Sequence, residues 1–251
     1  MQQIPADNVY RNCFTAPDGW SFVSADYSSQ ELNVIAFGSQ DPVWLKALKE
    51  EQDLHSTCAE LVYGDEWINC AETINFGLAY GMGPNKLSDT LNISVDAAKE
   101  LIEKYFKAFP SIKGFLDKLG NFGKQFGYIK TFPPYNRKRW FDNWYPKIWT
   151  NKSSMMELGS IERASKNTPI QGASADMTKR ALVLMREYIS YNDVPVKLVM
   201  TVHDQIDTIC REDWLEVWTR DMKHLMEVAA KEIVTNGLLK AEVTVSKCWE
   251  K

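Results

Sequence analysis

Two stretches of the sequence have the apolar pattern of β-strands and carry an acid where that pattern ends. The first covers residues 20–25 and places Asp26 directly before a segment with helical periodicity. The second covers residues 198–209, in which two β-rich apolar runs flank residues 203–205 and predict a hairpin with an acid at its tip. Residues 241–245 alternate between apolar and polar side chains, which predicts a last strand.

The other apolar positions recur mostly at helical spacing. Asp41 followed by Pro42 predicts one capped helix start, Ser94 predicts another, and Pro110 separates two apolar stripes. Further helices are predicted beyond Lys152, over residues 173–191 and over residues 214–233. Together these elements predict an α+β fold, in which a small antiparallel sheet is backed by helices and a helical insertion follows the first strand.

The composition is that of an ordinary globular chain, with 251 residues of which 45% are hydrophobic and 25% charged. No apolar run approaches the ~18 residues of a membrane span, and the first residues lack the form of a signal peptide. We therefore expect a soluble cytoplasmic protein with no membrane partner. The five cysteines are odd in number and form no Cys-x-x-Cys pair, so reduced core thiols are expected rather than disulfides or a zinc site.

The charge distribution favours nucleic acid only locally. The formal net charge is −4 and the pI is near 5.5, which is not typical of a dedicated DNA-binding module. A basic cluster, Arg137, Lys138 and Arg139, nevertheless lies among aromatic residues in a hairpin-like segment. Such a cluster is typical either of a solvated face or of a surface that contacts phosphates.

Asp26 and Asp204 are the candidate chemical groups. Two carboxylates from separate strands, with open coordination positions between them, suit Mg²⁺ when substrate phosphates supply the other ligands. Asp26 taken alone is more typical of a helix cap. The spacing in the sequence does not establish that the two acids meet.

Several ordered blocks resemble the polymerase domain of family A DNA polymerases, the bacterial polymerase I enzymes and their phage relatives. The resemblance spans nearly the whole chain, and the order of the blocks is more specific than any one of them. The blocks are residues 2–5, the Asp-Tyr-Ser of residues 26–28 with Glu31 and Leu32, the Thr-Ile-Asn-Phe-Gly of residues 73–77 with Tyr80 and Gly81, residues 167–172 with Ala175 and Asp176, and the Val-His-Asp of residues 202–204.

The resemblance implies template-directed DNA synthesis in which two Mg²⁺ ions act on a primer 3′-hydroxyl and a deoxynucleoside triphosphate. It implies metal binding by Asp26, Tyr27 and Asp204, with the two acids as catalytic residues. The positions that match nucleotide-binding residues are Ser28, Ser29, Gln30, Glu31, His55, Phe76 and Tyr80. Those that match residues contacting primer-template DNA are Gly77, Arg137, Lys138, Arg139, Arg163, Asn167, Gln171 and His203.

Some of these positions also fit a structural role. His55 suits a helix start, Phe76 and Tyr80 suit a core pair, and Glu31 suits an exposed helix face. By resemblance, Glu31 is the steric gate that rejects a ribose 2′-hydroxyl, and Phe76 rather than Tyr disfavours dideoxy sugars. Arg163, Asn167 and Gln171 would reach minor-groove acceptors that all base pairs share.

The family resemblance also implies a division into subdomains, and the chain departs from the family pattern at three positions. It implies a right-hand polymerase fold without its thumb, with palm segments at residues 1–38 and 150–251 and fingers at residues 39–149. Thumb or exonuclease segments, or other replication proteins, would then act as partners. Gln205 stands where the family usually has Glu. Ile68 and Glu72 stand where the family has cations that hold the triphosphate.

Two explanations of Ile68 and Glu72 remain open. The chain is either a degenerate polymerase or a sequence that skips residues between about Trp67 and Thr73. The first explanation would leave an inactive fragment that binds primer-template DNA or a partner. A single-subunit RNA polymerase relative is a further alternative, against which Glu31 and Phe76 argue.

Overall fold

A computed structural model describes residues 8–142, 144 and 152–249 of the chain. The block at residues 2–5 therefore lies outside the described residues, as does most of the Trp-rich segment at residues 140–149. A π-helical turn, Ala59–Tyr63, and two 3₁₀ helices, Asp65–Cys70 and Glu212–Trp214, connect longer elements. In chain order these are α1 (Asn8–Arg11), β1 (Trp20–Tyr27), α2 (Gln30–Ser39), α3 (Pro42–Lys49), α4 (Leu54–Cys58), α5 (Ala71–Ala79), α6 (Pro84–Leu91), α7 (Val95–Ala108), α8 (Pro110–Phe126), β2 (Tyr128–Lys130), β3 (Lys138–Trp140), α9 (Lys152–Asn192), β4 (Val196–Val202), β5 (Gln205–Arg211), α10 (Leu215–Lys231) and β6 (Ala241–Ser246).

The chain divides into two compact units. The sheet unit comprises the described residues within Met1–Gln30 and Ala173–Lys251, and the helical unit is Glu31–Gly172. The predicted palm and fingers boundaries, at residues 38 and 149, differ from these unit boundaries and stay a prediction. The α+β class with an antiparallel sheet and a helical insertion is confirmed.

The sheet has four antiparallel strands in the order β4-β5-β1-β6, so the first strand of the chain lies at its centre. Strand β1 is buried over most of its length, in agreement with the density of apolar residues in its sequence. Strands β4 and β5 form the predicted hairpin, and β6 is the predicted last strand. A separate two-stranded hairpin, β2-β3, belongs to the helical unit.

Helix α10 covers the apolar face of the four-stranded sheet. Val23 lies opposite Thr208 across β1 and β5, so both side chains are on this face. The buried Trp218 donates its indole N–H to Thr208 Oγ1 at 2.9 Å, and Tyr27 donates its hydroxyl to the Met226 carbonyl at 2.8 Å. Each large side chain buried here contributes ~1.5–3 kcal/mol, and the two hydrogen bonds satisfy the polar atoms that this packing buries.

The helical unit has the predicted helix starts. Asp41 accepts hydrogen bonds from the backbone N–H groups of Val43 and Trp44, and Ser94 accepts one from Ala97. Pro110 begins α8 directly after α7, as predicted. The rings of Trp44 and Phe109 pack edge to face at 6.0 Å in the core of this unit.

Helix α9 differs from the prediction of two helices. It runs for 41 residues without a break and includes Pro169. Proline removes one backbone hydrogen bond and usually ends a helix, but Ile170 and Ala173, immediately after it, are fully buried. Their packing offsets the lost bond, so the tertiary structure overrides the local signal.

The cysteines also differ in part from the prediction. All five are free, and Cys58 and Cys210 are buried as expected for core thiols. Cys13 is exposed, and Cys70 and Cys248 are partly exposed. Within the described ranges, no helix is both long enough and apolar enough to cross a membrane.

Candidate functional site

The strand register places Asp26 and Asp204 at one edge of the sheet. Ala25 pairs with Ile206 across β1 and β5, and Val202 pairs with Gln205 across β4 and β5. Asp26 follows Ala25 by one residue, and Asp204 lies in the two-residue turn that joins β4 to β5. Neighbouring strands are ~4.8 Å apart, so the segments that carry the two acids lie side by side in the sheet. Both acids are half-exposed.

The turn that carries Asp204 has the geometry of a tight hairpin. His203 is exposed and has a φ of 56°. Two-residue hairpin turns require such positive φ values because they match the twist of the strands. The turn therefore holds the Asp204 backbone between two hydrogen-bonded strands rather than in a loose loop.

Tyr27 is buried at the end of β1, and the charge of Asp204 acts on its hydroxyl. Burial raises the pKa of Tyr27 strongly, and the charges of Asp204 and Glu227 raise it further. The Tyr27 hydroxyl is committed to the Met226 carbonyl on the apolar face of the sheet, whereas Asp26, its neighbour in the strand, points to the other face. Any metal contact by Tyr27 must therefore come from its backbone carbonyl.

Glu242 is a third acid at this edge, and the sequence reasoning missed it. It pairs directly with Asp26 across β1 and β6 and accepts a hydrogen bond from Ser28 Oγ at 2.6 Å. Side chains directly opposite each other in an antiparallel pair lie on the same face. The alternation of residues 241–245 indicated the strand, but its register against Asp26 is a tertiary property.

Asp26 and Asp204 alone do not complete a metal site. Among the described residues, no group of three or more His, Cys, Asp and Glu side chains is placed to hold a metal ion. Hard carboxylate oxygens at a half-exposed edge fit Mg²⁺, which typically takes one or two carboxylates and fills its other positions with water and substrate phosphates.

The segment that follows Asp26 has mixed exposure. Ser29 is exposed with a φ of 49°, so it forms the bend between β1 and α2. Gln30 is buried and donates its side-chain amide to the Ser174 carbonyl at 3.3 Å. This placement argues against the predicted nucleotide contact by the Gln30 side chain. The Glu31 side chain, at the start of the helical unit, is partly exposed.

In the helical unit, three rings form a partly exposed row. Phe76 and Tyr80 on α5 stack with centroids 6.2 Å apart, and His55 lies 5.6 Å from Phe76. The amide nitrogen of the buried Asn75 is 3.2 Å from His55 Nδ1, which fixes the orientation of the imidazole. Asp53 caps α4 by accepting from the Ser56 N–H at 2.7 Å, so His55 does stand at a helix start.

Two glycines allow close packing beside this row. Gly77 is buried, and a Cβ at this position would meet the Met82 side chain at 2.7 Å. Gly81 has a φ of 77°, and a Cβ there would lie 3.3 Å from Arg163 Cγ. Larger residues would therefore displace Met82 or strain the backbone that follows Tyr80.

Glu72 precedes Phe76 by four residues in α5, so these two positions share a helix face, whereas Ile68 lies outside α5. Ile68 lies in the 3₁₀ helix that precedes α5, and the Ala71 N–H donates to its carbonyl. Glu72 is exposed in the first turn of α5, where a negative charge stabilises the helix dipole. Neither residue supplies a cation, and both explanations of this departure from the family stay open.

The basic hairpin β2-β3 packs on the neighbouring part of α9. Arg139 donates to Thr168 Oγ1 at 3.0 Å, and Arg137 donates to the Gly172 carbonyl at 3.3 Å. The Lys138 ammonium lies 5.1 Å from the Tyr128 ring and 5.3 Å from the Trp140 ring. All three basic residues remain exposed, so they are accessible to phosphates despite these contacts.

The polar residues predicted on α9 share one helix. Arg163 and Gln171 are exposed, and Asn167 lies between them at a spacing of four. The Asn167 side-chain oxygen is buried and has no hydrogen-bond partner among the described residues. This arrangement is a row of donors and acceptors, as predicted, but it does not by itself identify what they contact.

Comparisons with known proteins agree over the whole chain. A sequence model described as DNA polymerase family A matches residues 1–251. DNA polymerase I of Chloroflexus aurantiacus is 30% identical over 261 aligned positions, and the thermostable DNA polymerase I of Thermus aquaticus is 30% identical over 254. The alignments cover 100% and 98% of this chain, but only 26% and 29% of the relatives, so the chain spans about a quarter of their length.

A solved structure has the same fold. It is described as the POL domain of Pol1 from M. smegmatis in complex with DNA primer-template and dNTP, and it superposes with a TM-score of 0.88 at 24% identity. The match covers 99% of this chain and 44% of that one. At this level of identity the comparison establishes the fold.

Proposed function

This chain belongs to DNA polymerase family A, and from that premise we propose that it catalyses template-directed addition of deoxynucleotides to a primer 3′-hydroxyl. One observation carries the proposal: the pairing of Ala25 with Ile206 brings Asp26 and Asp204 to the same edge of adjacent strands. Two carboxylates in that arrangement suit metal-assisted phosphoryl transfer.

The residues that would hold Mg²⁺ are Asp26, Asp204 and the backbone carbonyl of Tyr27. Two bound ions would activate the primer hydroxyl and stabilise the leaving pyrophosphate. The chain itself holds the two carboxylates on hydrogen-bonded strands, which preorganises their negative charge. Tyr27 fixes the end of β1 against α10 through the Met226 carbonyl.

The helical unit would supply nucleotide and DNA contacts. The row formed by His55, Phe76 and Tyr80 offers aromatic faces to a sugar and a base, and Glu31, Ser28 and Ser29 would lie near the incoming nucleotide. The exposed basic side chains of the β2-β3 hairpin would bind phosphates of the DNA backbone. Gly77, Arg163, Asn167, Gln171 and His203 would contact the primer-template. Other replication proteins or further polymerase segments would be partners.

A second candidate function rests on Ile68 and Glu72. A triphosphate carries a large negative charge, and Glu72 adds a like charge where the family resemblance implies a cation. A chain of this kind could bind primer-template DNA or a partner without synthesis. The two candidates differ in one measurable property, which is the incorporation of a nucleotide.

The deciding experiment is incorporation of a single labelled deoxynucleotide opposite a defined template base. The 251-residue chain is incubated with primer-template DNA, one deoxynucleotide and either Mg²⁺ or EDTA. The proposal requires a primer longer by one nucleotide with Mg²⁺ only, and only when the nucleotide is complementary to the template. Retained binding of primer-template without extension would instead favour the binding-only candidate.

A further inference from the structure

The fully buried Asp207 lies on the same sheet face as Asp26 but deeper along the strands. It pairs with Ser24 across β1 and β5, and Ser24 precedes Asp26 by two residues, so their side chains share a face. Asp207 has no exposed surface. A carboxylate in such a place is costly unless hydrogen bonds or charges compensate it, so its presence in the middle of a strand calls for a physical role.

Asp207 accepts a short hydrogen bond from Gln205. Gln205 Nε2 donates to Asp207 Oδ1 at 2.6 Å, and both residues are buried. An ionised carboxylate only accepts hydrogen bonds, so the nitrogen of the carboxamide must face it. The Gln205 Oε1 atom is therefore turned away from Asp207.

Gln205 lies at the start of β5, between the positions of Asp204 and Asp26. It follows Asp204 directly in the chain, and one step beyond the pairing of Ala25 with Ile206 it stands across from Asp26. Its side chain is thus on the Asp26 face. A carboxamide oxygen there is a neutral, hard acceptor beside two acids, and adds a ligand or hydrogen-bond acceptor without adding negative charge.

Asp207 lies near buried groups from both ends of the chain, although its Oδ2 atom has no hydrogen-bond partner among the described residues. Arg11 and Trp249 are buried, and the Arg11 guanidinium lies 4.5 Å from the centre of the Trp249 ring. Burial raises the pKa of Asp207 and outweighs the lowering effect of Ser24, Gln205, Arg11 and Trp249. The orientation of Gln205 rests on the hydrogen bond from its Nε2 to Asp207 Oδ1.

We propose that Asp207 is a positioning residue that orients the Gln205 carboxamide so that its oxygen faces a divalent cation held by Asp26 and Asp204. This inference rests on the proposed function, but its central claim is structural. It explains why two unusual residues occur together: Gln205 next to Asp204, and a buried acid two residues later on the same face.

The orientation of Gln205 can be tested without any activity. Asp207→Leu removes the hydrogen-bond acceptor, whereas Asp207→Asn keeps an oxygen that can accept from Gln205. Gln205→Leu identifies the Gln205 carboxamide signal in an ¹⁵N NMR spectrum, because that signal is lost in this variant. In the wild type and in Asp207→Asn, the Gln205 amide protons should exchange with water at least about tenfold more slowly than in Asp207→Leu. Equal exchange rates in the wild type and Asp207→Leu would overturn the proposal.

Manganese binding, measured by electron paramagnetic resonance, tests whether the orientation reaches the ion. Asp207→Leu and Gln205→Leu should each weaken Mn²⁺ binding by about tenfold. The double variant should weaken it no further, because both changes remove the same hydrogen bond between Gln205 and Asp207. Asp207→Asn should bind Mn²⁺ like the wild type. Asp213→Leu, in the 3₁₀ helix that follows β5, removes an exposed carboxylate and serves as the matched control.

The outcomes separate this inference from the proposed function. Additive effects in the double variant, an unchanged affinity in Asp207→Leu, or a wild type that binds no Mn²⁺ would each overturn the inference. A wild type that binds Mn²⁺ but extends no primer would overturn the proposed function, while the exchange and Mn²⁺ measurements would still decide the role of Asp207. If the chain is active, Asp207→Leu should raise the Mg²⁺ concentration needed for half-maximal extension, and Asp207→Asn should restore it.

Discussion

Ala25 lies opposite Ile206 across the two central strands of the sheet. Asp26 is the residue after Ala25 in β1, and Asp204 is two residues before Ile206, separated from it by Gln205. The two acids thus come from distant parts of the sequence but emerge at one edge. The predictions below follow from this relationship and from the packing that maintains it.

Removal of either acid should abolish primer extension. Asp26→Ala and Asp204→Ala each remove a hard anionic ligand, and we expect the single-nucleotide incorporation rate to fall by about 10³-fold or more. Both acids are half-exposed, so folding and primer-template binding should change little. Circular dichroism and DNA-binding titrations provide the controls, and extension at the wild-type rate by either variant would refute the assignment.

Tyr27→Phe should destabilise the sheet unit. The Tyr27 hydroxyl donates to the Met226 carbonyl in a buried environment, and its loss leaves that carbonyl without the bond, at a cost of about 1–2 kcal/mol of unfolding free energy. Urea unfolding followed by Trp fluorescence measures the change. Tyr191→Phe removes a hydroxyl from an 87% exposed residue and should have no measurable effect. Equal stabilities of the two variants would contradict the role given to Tyr27.

Glu31→Ala should relax the discrimination between deoxy- and ribonucleotides. If the Glu31 side chain excludes a 2′-hydroxyl, its truncation should raise ribonucleotide incorporation by about tenfold or more relative to deoxynucleotide incorporation. The ratio of kcat/KM values for the two substrates is the relevant measurement. A wild type that already prefers ribonucleotides would instead support the RNA polymerase alternative.

The contribution of Glu162 to stability should depend on pH. Partial burial raises the pKa of Glu162, but hydrogen bonds from Lys124 and Lys166 and their charges outweigh it and lower the pKa to about 2. A lowered pKa in the folded state stabilises the protein above the ordinary value of 4.5, and this stabilisation is lost as the pH falls through 2.

Glu162→Gln should therefore cost about 1 kcal/mol near pH 7, discounted for solvent screening, and close to nothing near pH 2. Unfolding free energies at both pH values test this difference. Asp96→Asn removes an exposed ion pair with Lys99, which lowers the pKa of Asp96, and it is the control, for which only a small pH-dependent loss is expected because solvent screens the pair. A Glu162→Gln variant with the same cost at both pH values would show that the two lysines do not set the pKa of Glu162.

Much of the local structure could be predicted because it depends on neighbouring residues. Asp41 and Ser94 cap helices through their own side chains, and the apolar runs on either side of His203 and Asp204 are sufficient to form a hairpin. The stacking of Phe76 on Tyr80 follows from a spacing of four in a helix.

Other features depend on contacts that no local pattern contains. Two helices were predicted where α9 is continuous, and buried packing directly after Pro169 keeps this helix unbroken. Gln30 was predicted to contact a nucleotide, yet its side chain is bonded inside the sheet unit. Glu72 stands where the family resemblance implies a cation, and the structure adds that it is exposed in the first turn of α5, where a negative charge stabilises the helix start.

The sequence by itself determined the strands, the hairpin turn, most helix starts and the identity of the two acids, because hydrophobic periodicity and capping act over a few residues. Only the tertiary structure decided the register that sets Asp26 beside Gln205 and Asp204, the position of Glu242 opposite Asp26, and the burial of Asp207 near Arg11 and Trp249. The reason is physical: strand pairing joins segments far apart in the chain, and its register is selected by the packing of the whole sheet face.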